Sequence, residues 1–298
     1  MLIKVNNVTK KLGCKKVLND ITINLDKSSI TGLIGKNGAG KSTLLRTMCG
    51  IYKPDCGCVT LNDEVVYENP SVKAEIFFVP DYPYFLNNST LESMAYIYSK
   101  FYPKWSNNTF ANLTNLLSID KKSKILHMSK GLQRQCALIF ALSSGAKCLL
   151  LDEIFDGLDP IVRNLVRKLL IDEITVNETS ILISSHNLRE LEDICDHIEL
   201  VNNGRLILGD DIDALKSNLH KIQVAYKEDH TEELHNKLHI IKTTNSGPVY
   251  TYIIKGKQEK IFEELNKFNP IFLDDIPLSL EEIFITEMEE IGYGYKIQ

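Results

Sequence analysis

A chain of 298 residues is long enough for two compact domains, or for one large domain with an appendage. Its 44% hydrophobic and 24% charged residues mark an ordinary globular protein and exclude the disordered and fibrous classes. A net charge of −5 argues against broad nucleic-acid binding, which carries a basic excess, so no nucleic-acid partner is expected.

The first residues, Met1-Leu2-Ile3-Lys4-Val5-Asn6-Asn7, do not have the basic stretch and apolar run of a signal peptide. No window approaches the roughly 18 consecutive apolar residues of a membrane span. A cytosolic location is expected, which leaves room for contact with a membrane protein. Seven scattered cysteines (Cys14, Cys49, Cys56, Cys58, Cys136, Cys148, Cys195) fit reduced thiols. The pair in Cys56-Gly57-Cys58 has no second Cys/His pair at metal-binding spacing and is predicted to be a turn.

Residues 2–8 and 17–25 alternate apolar and polar side chains, which predicts a half-exposed antiparallel β region. The apolar run Ile30-Thr31-Gly32-Leu33-Ile34 then enters a glycine-rich loop, and 42–49 continue as a helix. Strands are predicted over 59–67 and 76–79, and a helical insertion over about 87–145. Buried strands at 148–151 and 181–184 alternate with helices at about 160–174 and 187–195, which predicts a mostly parallel sheet covered on both faces. Beyond Gly209-Asp210-Asp211 the composition changes. Strand-like runs (Ile222 to Tyr226, Val249 to Ile254) and helix-like runs (258–268, 279–290) suggest a small C-terminal α/β appendage. The expected division is 1–215 and 216–298.

The stretch Gly35-Lys36-Asn37-Gly38-Ala39-Gly40-Lys41-Ser42 satisfies G-x-x-x-x-G-K-[ST] between a buried strand and a helix. Glycines let the backbone curl until its N–H groups meet phosphate oxygens, and those amides join the positive end of the following helix. Lys41 adds a point charge for the β- and γ-phosphates of ATP, and the Ser42 hydroxyl can ligate Mg²⁺. The strand Leu149-Leu150-Leu151 ends in Asp152-Glu153. An acidic pair opening a surface loop is commonplace. Behind a phosphate loop, Asp152 can serve Mg²⁺ and Glu153 can orient and deprotonate water. His186 closes the strand Ile183-Ser184-Ser185. A histidine there is more often structural than catalytic, although the position also allows contact with a γ-phosphate.

Taken together, Val8-Thr9-Lys10, the run Gly32 to Leu45 and Leu151-Asp152-Glu153-Ile154-Phe155-Asp156-Gly157-Leu158-Asp159-Pro160 resemble the ATP-binding-cassette (ABC) ATPases across roughly 2–215. Met128-Ser129-Lys130-Gly131-Leu132-Gln133-Arg134-Gln135 is similar to that family's signature. The resemblance implies a P-loop NTPase (RecA-like) α/β core with an N-terminal antiparallel β subdomain and an inserted helical subdomain. It assigns Gly35, Asn37, Gly38, Ala39, Gly40, Lys41, Ser42 and Thr43 to the phosphates of ATP. Mg²⁺ falls to Ser42, Asp152 and Asp81, the last at the position of the family's Q-loop glutamine. Glu153 is implied as the general base and His186 as the switch histidine. Ser129 and Gly131 would close over ATP held by a second subunit, homo- or heterodimeric, with Asp159 facing the dimer.

Three features depart from the family pattern: Leu12 where an aromatic stacks on adenine, Asp81 for glutamine, and the signature, with Met128, Lys130 and Leu132. Aromatics from Phe77 to Trp105 divide between core packing and a groove for a membrane subunit. The tail Leu278-Ser279-Leu280-Glu281-Glu282-Ile283-Phe284 is similar to C-terminal extensions in bacterial ABC-2-type exporters. An ATPase subunit at the inner face of the cell membrane, driving transmembrane permease subunits in export, is the expectation. A non-transport ABC ATPase and a nucleotide-binding regulator are the alternatives.

Overall fold

The computed structural model describes residues 2–212, 217–228 and 230–290. The chain falls into two compact units, residues 1–209 and 210–298. The expected boundary at 215/216 meets residues outside the described ones.

The first unit opens with long strands β1 (Ile3–Leu12) and β2 (Lys15–Leu25), then β3 (Ile30–Ile34) and α1 (Lys41–Met48). After β4 (Cys56–Leu61), β5 (Glu64–Val65), α2 (Pro70–Lys73) and β6 (Ile76–Val79) come three helices of the insertion. These are α3 (Leu91–Phe101), α4 (Asn107–Leu116) and α5 (Lys130–Ser143). The chain then alternates through β7 (Cys148–Asp152), α6 (Pro160–Asn177), β8 (Ser180–Ser185), α7 (Leu188–Leu191), β9 (His197–Asn202) and β10 (Arg205–Asp211).

Two sheets result. One is ordered β2-β1-β4-β5, with antiparallel neighbours throughout; the other is six-stranded, β10-β9-β3-β8-β7-β6. Strands β3, β7 and β8 are buried at every position, as unbroken apolar runs in a doubly covered sheet should be. They pair in parallel with β6 and β9, so the sheet's C-terminal edge collects the loops after β3, β6, β7 and β8. One hydrophobic core joins Ile3, Val5, Ile21 and Ile23 of the first sheet to Leu33, Leu150 and Leu182 of the second. Each such aliphatic side chain contributes about 1.5–3 kcal/mol when fully buried. Residues 56–58, predicted as a turn, lie in β4 opposite β1, with Gly57 in the left-handed region where the strand register shifts.

The helical insertion packs on aromatic rings. Phe140 of α5 sits 4.9 Å from Tyr98 of α3 and 6.3 Å from Phe85, and Phe77 lies 5.0 Å from Tyr102. Helix α3 starts on a capping box, in which Ser93 N–H donates to Thr90 Oγ1 at 3.2 Å and Thr90 N–H donates to Ser93 Oγ at 2.9 Å.

The second unit runs β11 (Leu219–Ala225), α8 (Thr231–Lys237), β12 (His239–Ser246), β13 (Val249–Lys255), α9 (Gln258–Asn266), β14 (Phe272–Ile276) and α10 (Leu280–Glu290). Its antiparallel sheet has the order β12-β13-β11-β14. A βαββαβ chain with that order is the split βαβ, ferredoxin-like arrangement. A separate core of Ile222, Val224, Leu234, Tyr252, Ile254 and Ile261 holds it together.

Candidate functional site

Gly35 ends β3 at a point where any Cβ would collide with the carbonyl oxygen of Val201, so no larger residue fits. Three and five positions later Gly38 and Gly40 take φ of 82° and 117°, and Gly40 forms the N-terminal cap of α1 without a capping side chain. The segment Lys36 to Gly38, following Gly35, is exposed and runs into the start of the eight-residue helix α1, where the first N–H groups have no partner within the helix. Thr43 is buried within the first turn and Ser42 is half-buried beside it.

Parallel pairing carries the other groups to this loop. Ile34 stands opposite Ser185, and Asp152 opposite Ser184, so the ends of β3, β7 and β8 lie side by side. Buried Lys41 places Nζ 2.5 Å from the Gly35 carbonyl oxygen and 3.2 Å from Oε1 of Glu153. The other oxygen of Glu153, Oε2, lies 2.9 Å from Nδ1 of His186. His186 itself is half exposed. Glu153 adopts φ of 51°, a left-handed conformation that a side-chain-bearing residue holds only under constraint. The constraint is visible: its N–H donates to both the carbonyl and the hydroxyl oxygen of Ser184, at 3.1 Å each.

Asp152 is 1% exposed. Ser184 Oγ donates to its Oδ1 at 2.5 Å, whereas Oδ2 is buried with no hydrogen-bond partner among the described residues. A carboxylate oxygen enclosed without a donor is costly, and a hard divalent cation is the group that relieves it. The residues present therefore fit Mg²⁺ at Asp152, with the Ser42 hydroxyl on the neighbouring helix start.

The remaining predicted residues fall into two further places. Ser129 is exposed and caps α5, its Oγ accepting from Leu132 N–H at 3.3 Å, with Gly131 in the first turn. Asp159 is exposed and caps α6, its Oδ1 accepting from Ile161 and Val162 N–H at 3.0 Å each. Asp81 follows β6, and its carboxylate Oδ1 is taken by the guanidinium of Arg134 rather than joined to the Asp152 group. Leu12 ends β1 with 41% of its surface exposed.

The ABC transporter family model matches residues 18–156, which hold the phosphate loop and the acidic pair. The ABC transporter ATP-binding protein YtrB of Bacillus subtilis (strain 168) is 31% identical over 287 residues, covering 96% of this chain and 98% of its own. This chain belongs to the ABC transporter ATP-binding proteins. Another relative within that family, the bacitracin transport ATP-binding protein BcrA of Bacillus licheniformis, is 28% identical over 95% of this chain and 96% of its own. A solved ATP-binding subunit of an ABC transporter superposes with a TM-score of 0.67 at 25% identity, over 72% of this chain and 92% of that one. The ABC cassette fold, a P-loop α/β core with an antiparallel β subdomain, is thereby established for the first unit.

Sequence reasoning missed Ser184 and Arg134. Ser184 stands in an apolar run, where a lone hydroxyl reads as a tolerated small residue. Arg134 stands in the signature run with no role of its own in the sequence, because its partners Asp81 and Asp156 lie 53 and 22 residues away.

Proposed function

We propose that this chain hydrolyses ATP as one of a head-to-tail pair of ATP-binding subunits, and that the closing and reopening of the pair drives separate membrane subunits at the inner face of the cell membrane. The observation that carries the proposal is the contact chain from Lys41 through both oxygens of Glu153 to His186, beside a buried Asp152 with one oxygen unpartnered. An acid between a phosphate-binding lysine and a histidine is suited to water activation at a γ-phosphate.

In this reading the amides of residues 36–42 and the Lys41 ammonium neutralise the β- and γ-phosphates. Phosphate oxygens compete with Glu153 for Lys41, which leaves the Glu153 carboxylate to accept a proton from the attacking water. His186 keeps that carboxylate turned through its Nδ1 contact. Asp152 and Ser42 would hold Mg²⁺, which when bound adds positive charge at the β- and γ-phosphate oxygens. Ser129 and Gly131, at an exposed helix start, are placed to meet the γ-phosphate of a second subunit, with Asp159 beside that interface. The relative named for bacitracin transport supports a role in transport, for which export is the proposed direction.

The membrane partner is proposed to dock on the aromatic surface of the loop that follows β6 and leads into the insertion. Tyr82 and Tyr84 are 74% and 78% exposed there, beside a cavity of about 410 Å³ lined by Phe78, Pro80 and Pro83. No helix among the described residues is long and apolar enough to cross a membrane, so the spanning part is assigned to that partner.

Steady-state phosphate release with Mg²⁺, paired with a nucleotide-binding titration, tests the proposal. Lys41→Ala should abolish ATP binding. Glu153→Gln should keep binding and lower turnover by about 10²- to 10⁴-fold, the usual worth of a positioned base. Full turnover in Glu153→Gln would remove Glu153 from its assigned role.

A further inference from the structure

Arg134 enters the site from a third direction. It lies in the second turn of α5 and is 9% exposed, which gives a planar cation with five donors few routes to water. Its Nη2 donates to the carbonyl oxygen of Asp81 at 3.2 Å and also to the Asp81 carboxylate. Its Nη1 donates to the carbonyl oxygen of Asp156, whose carboxylate lies 3.8 Å from Nη2. One guanidinium thus binds backbone and side chain of two loops, those following the neighbouring parallel strands β6 and β7.

Each loop has a second attachment. Asp156 N–H donates to the Glu153 carbonyl oxygen at 3.1 Å, closing the turn that starts at the left-handed Glu153. The Arg134 guanidinium is therefore two hydrogen bonds from the residue that contacts Lys41 and His186. On the other side, Asp81 leads directly into Tyr82 and Tyr84, and Lys130 of α5 lies 5.8 Å above the Tyr82 ring. The start of α5 also presses on the second loop, since a Cβ on Gly131 would stand 3.1 Å from the Gly157 carbonyl oxygen. A carboxylate at 81 supplies the full charge that this arginine requires.

We propose that Arg134 is a positioning residue for hydrolysis, tying the exposed 81–86 loop to the turn that aims Glu153, so that displacement of that loop moves the carboxylate. This rests on the reading of Glu153 as base. Its structural half, the linkage of the two loops, can be measured without turnover.

The test uses the full chain with Arg134→Gln, Arg134→Lys and Asp81→Asn, followed by ATP affinity, turnover and amide hydrogen exchange. In Arg134→Gln, ATP affinity should stay within about threefold. Turnover should fall by between about 10- and 100-fold, the scale of a misplaced catalytic group. Amides of 82–86 and of 154–158 should lose protection together. Arg134→Lys keeps the charge without the fork and should recover part of both. Asp81→Asn leaves the arginine in place and should reproduce the joint loss of protection to a smaller degree, which covers the case in which Arg134→Gln fails to fold.

Loss of protection confined to the loop next to the substituted residue would overturn the linkage. So would unchanged turnover in Arg134→Gln while Glu153→Gln is inactive. A raised Mg²⁺ requirement in Asp81→Asn, with loop protection unchanged, would overturn it in favour of Asp81 as a metal ligand. Normal turnover in Glu153→Gln with joint loss of protection in Arg134→Gln would instead locate the failure in the choice of base.

Discussion

At the scale of single residues, Ser184 has the most work for its size. Its hydroxyl donates to Asp152 Oδ1 and accepts from Glu153 N–H, so one oxygen orients both acidic residues. Removing it leaves a buried carboxylate with neither oxygen partnered among the described residues and takes one of the two acceptors from the N–H of a residue in a strained conformation, leaving only the Ser184 carbonyl. Ser184→Ala should raise the Mg²⁺ concentration for half-maximal ATPase activity by roughly 10- to 100-fold, the usual loss when a supporting hydrogen bond behind a metal ligand is deleted. A Mg²⁺ titration of phosphate release reads this directly, and an unchanged midpoint would separate Ser184 from the metal. The cysteines illustrate the opposite case at this scale. Burial pushes the Cys136 thiol up to about 12 and Cys49 to about 11, so at neutral pH both remain protonated core residues.

At the scale of elements, the helical insertion depends on ring packing. Phe140 is fully buried and lies within 6.4 Å of Phe85, Tyr98 and Phe110, from three different segments. Phe140→Ala should cost about 3–5 kcal/mol, seen as a lower midpoint in denaturant unfolding with an unchanged slope. Local signals made much of this architecture legible. The strand–glycine loop–helix run at 30–48 and the apolar strands at 148–152 and 180–185 each carry their pattern within one continuous stretch of sequence. Strands β9 and β12 do not. His197–Asn202 mixes His, Glu and Asn into its apolar positions, and His239–Ser246 is an exposed edge whose residues are ordered by pairing with β13. Helix α7 is predicted over 187–195 and closes after Leu191, where turns carry the chain into β9. In the site, the groups on strand ends were readable because a strand end is a local feature. The Asp81–Arg134–Asp156 cluster was not, because only the tertiary fold brings its three segments together.

At the scale of the whole molecule, the described residues include a core in each unit, and the two have no residue in common. The first includes Leu33, Ala39, Leu44 and Leu45, so its integrity and the shape of the phosphate loop are one matter. The second is closed around Tyr252, which is 0% exposed, stacks 5.9 Å from Tyr250 and shares a 3.2 Å hydrogen bond with Thr231. Tyr252→Ala removes a central aromatic from a small sheet and should cost that unit about 3–5 kcal/mol. Because domain stability is marginal, that loss is enough to open the unit locally without global unfolding. Hydrogen exchange should show β11 and β13 losing protection while β3 and β7 keep theirs. Binding of ATP at Lys41 should then stabilise the first unit as in the unsubstituted chain, by about 2.7 kcal/mol at a ligand concentration of 100 times Kd. If Tyr252→Ala instead weakens ATP binding or strips protection from β3, the second unit would have to be counted as part of the nucleotide site's support, and its role would move from accessory to integral.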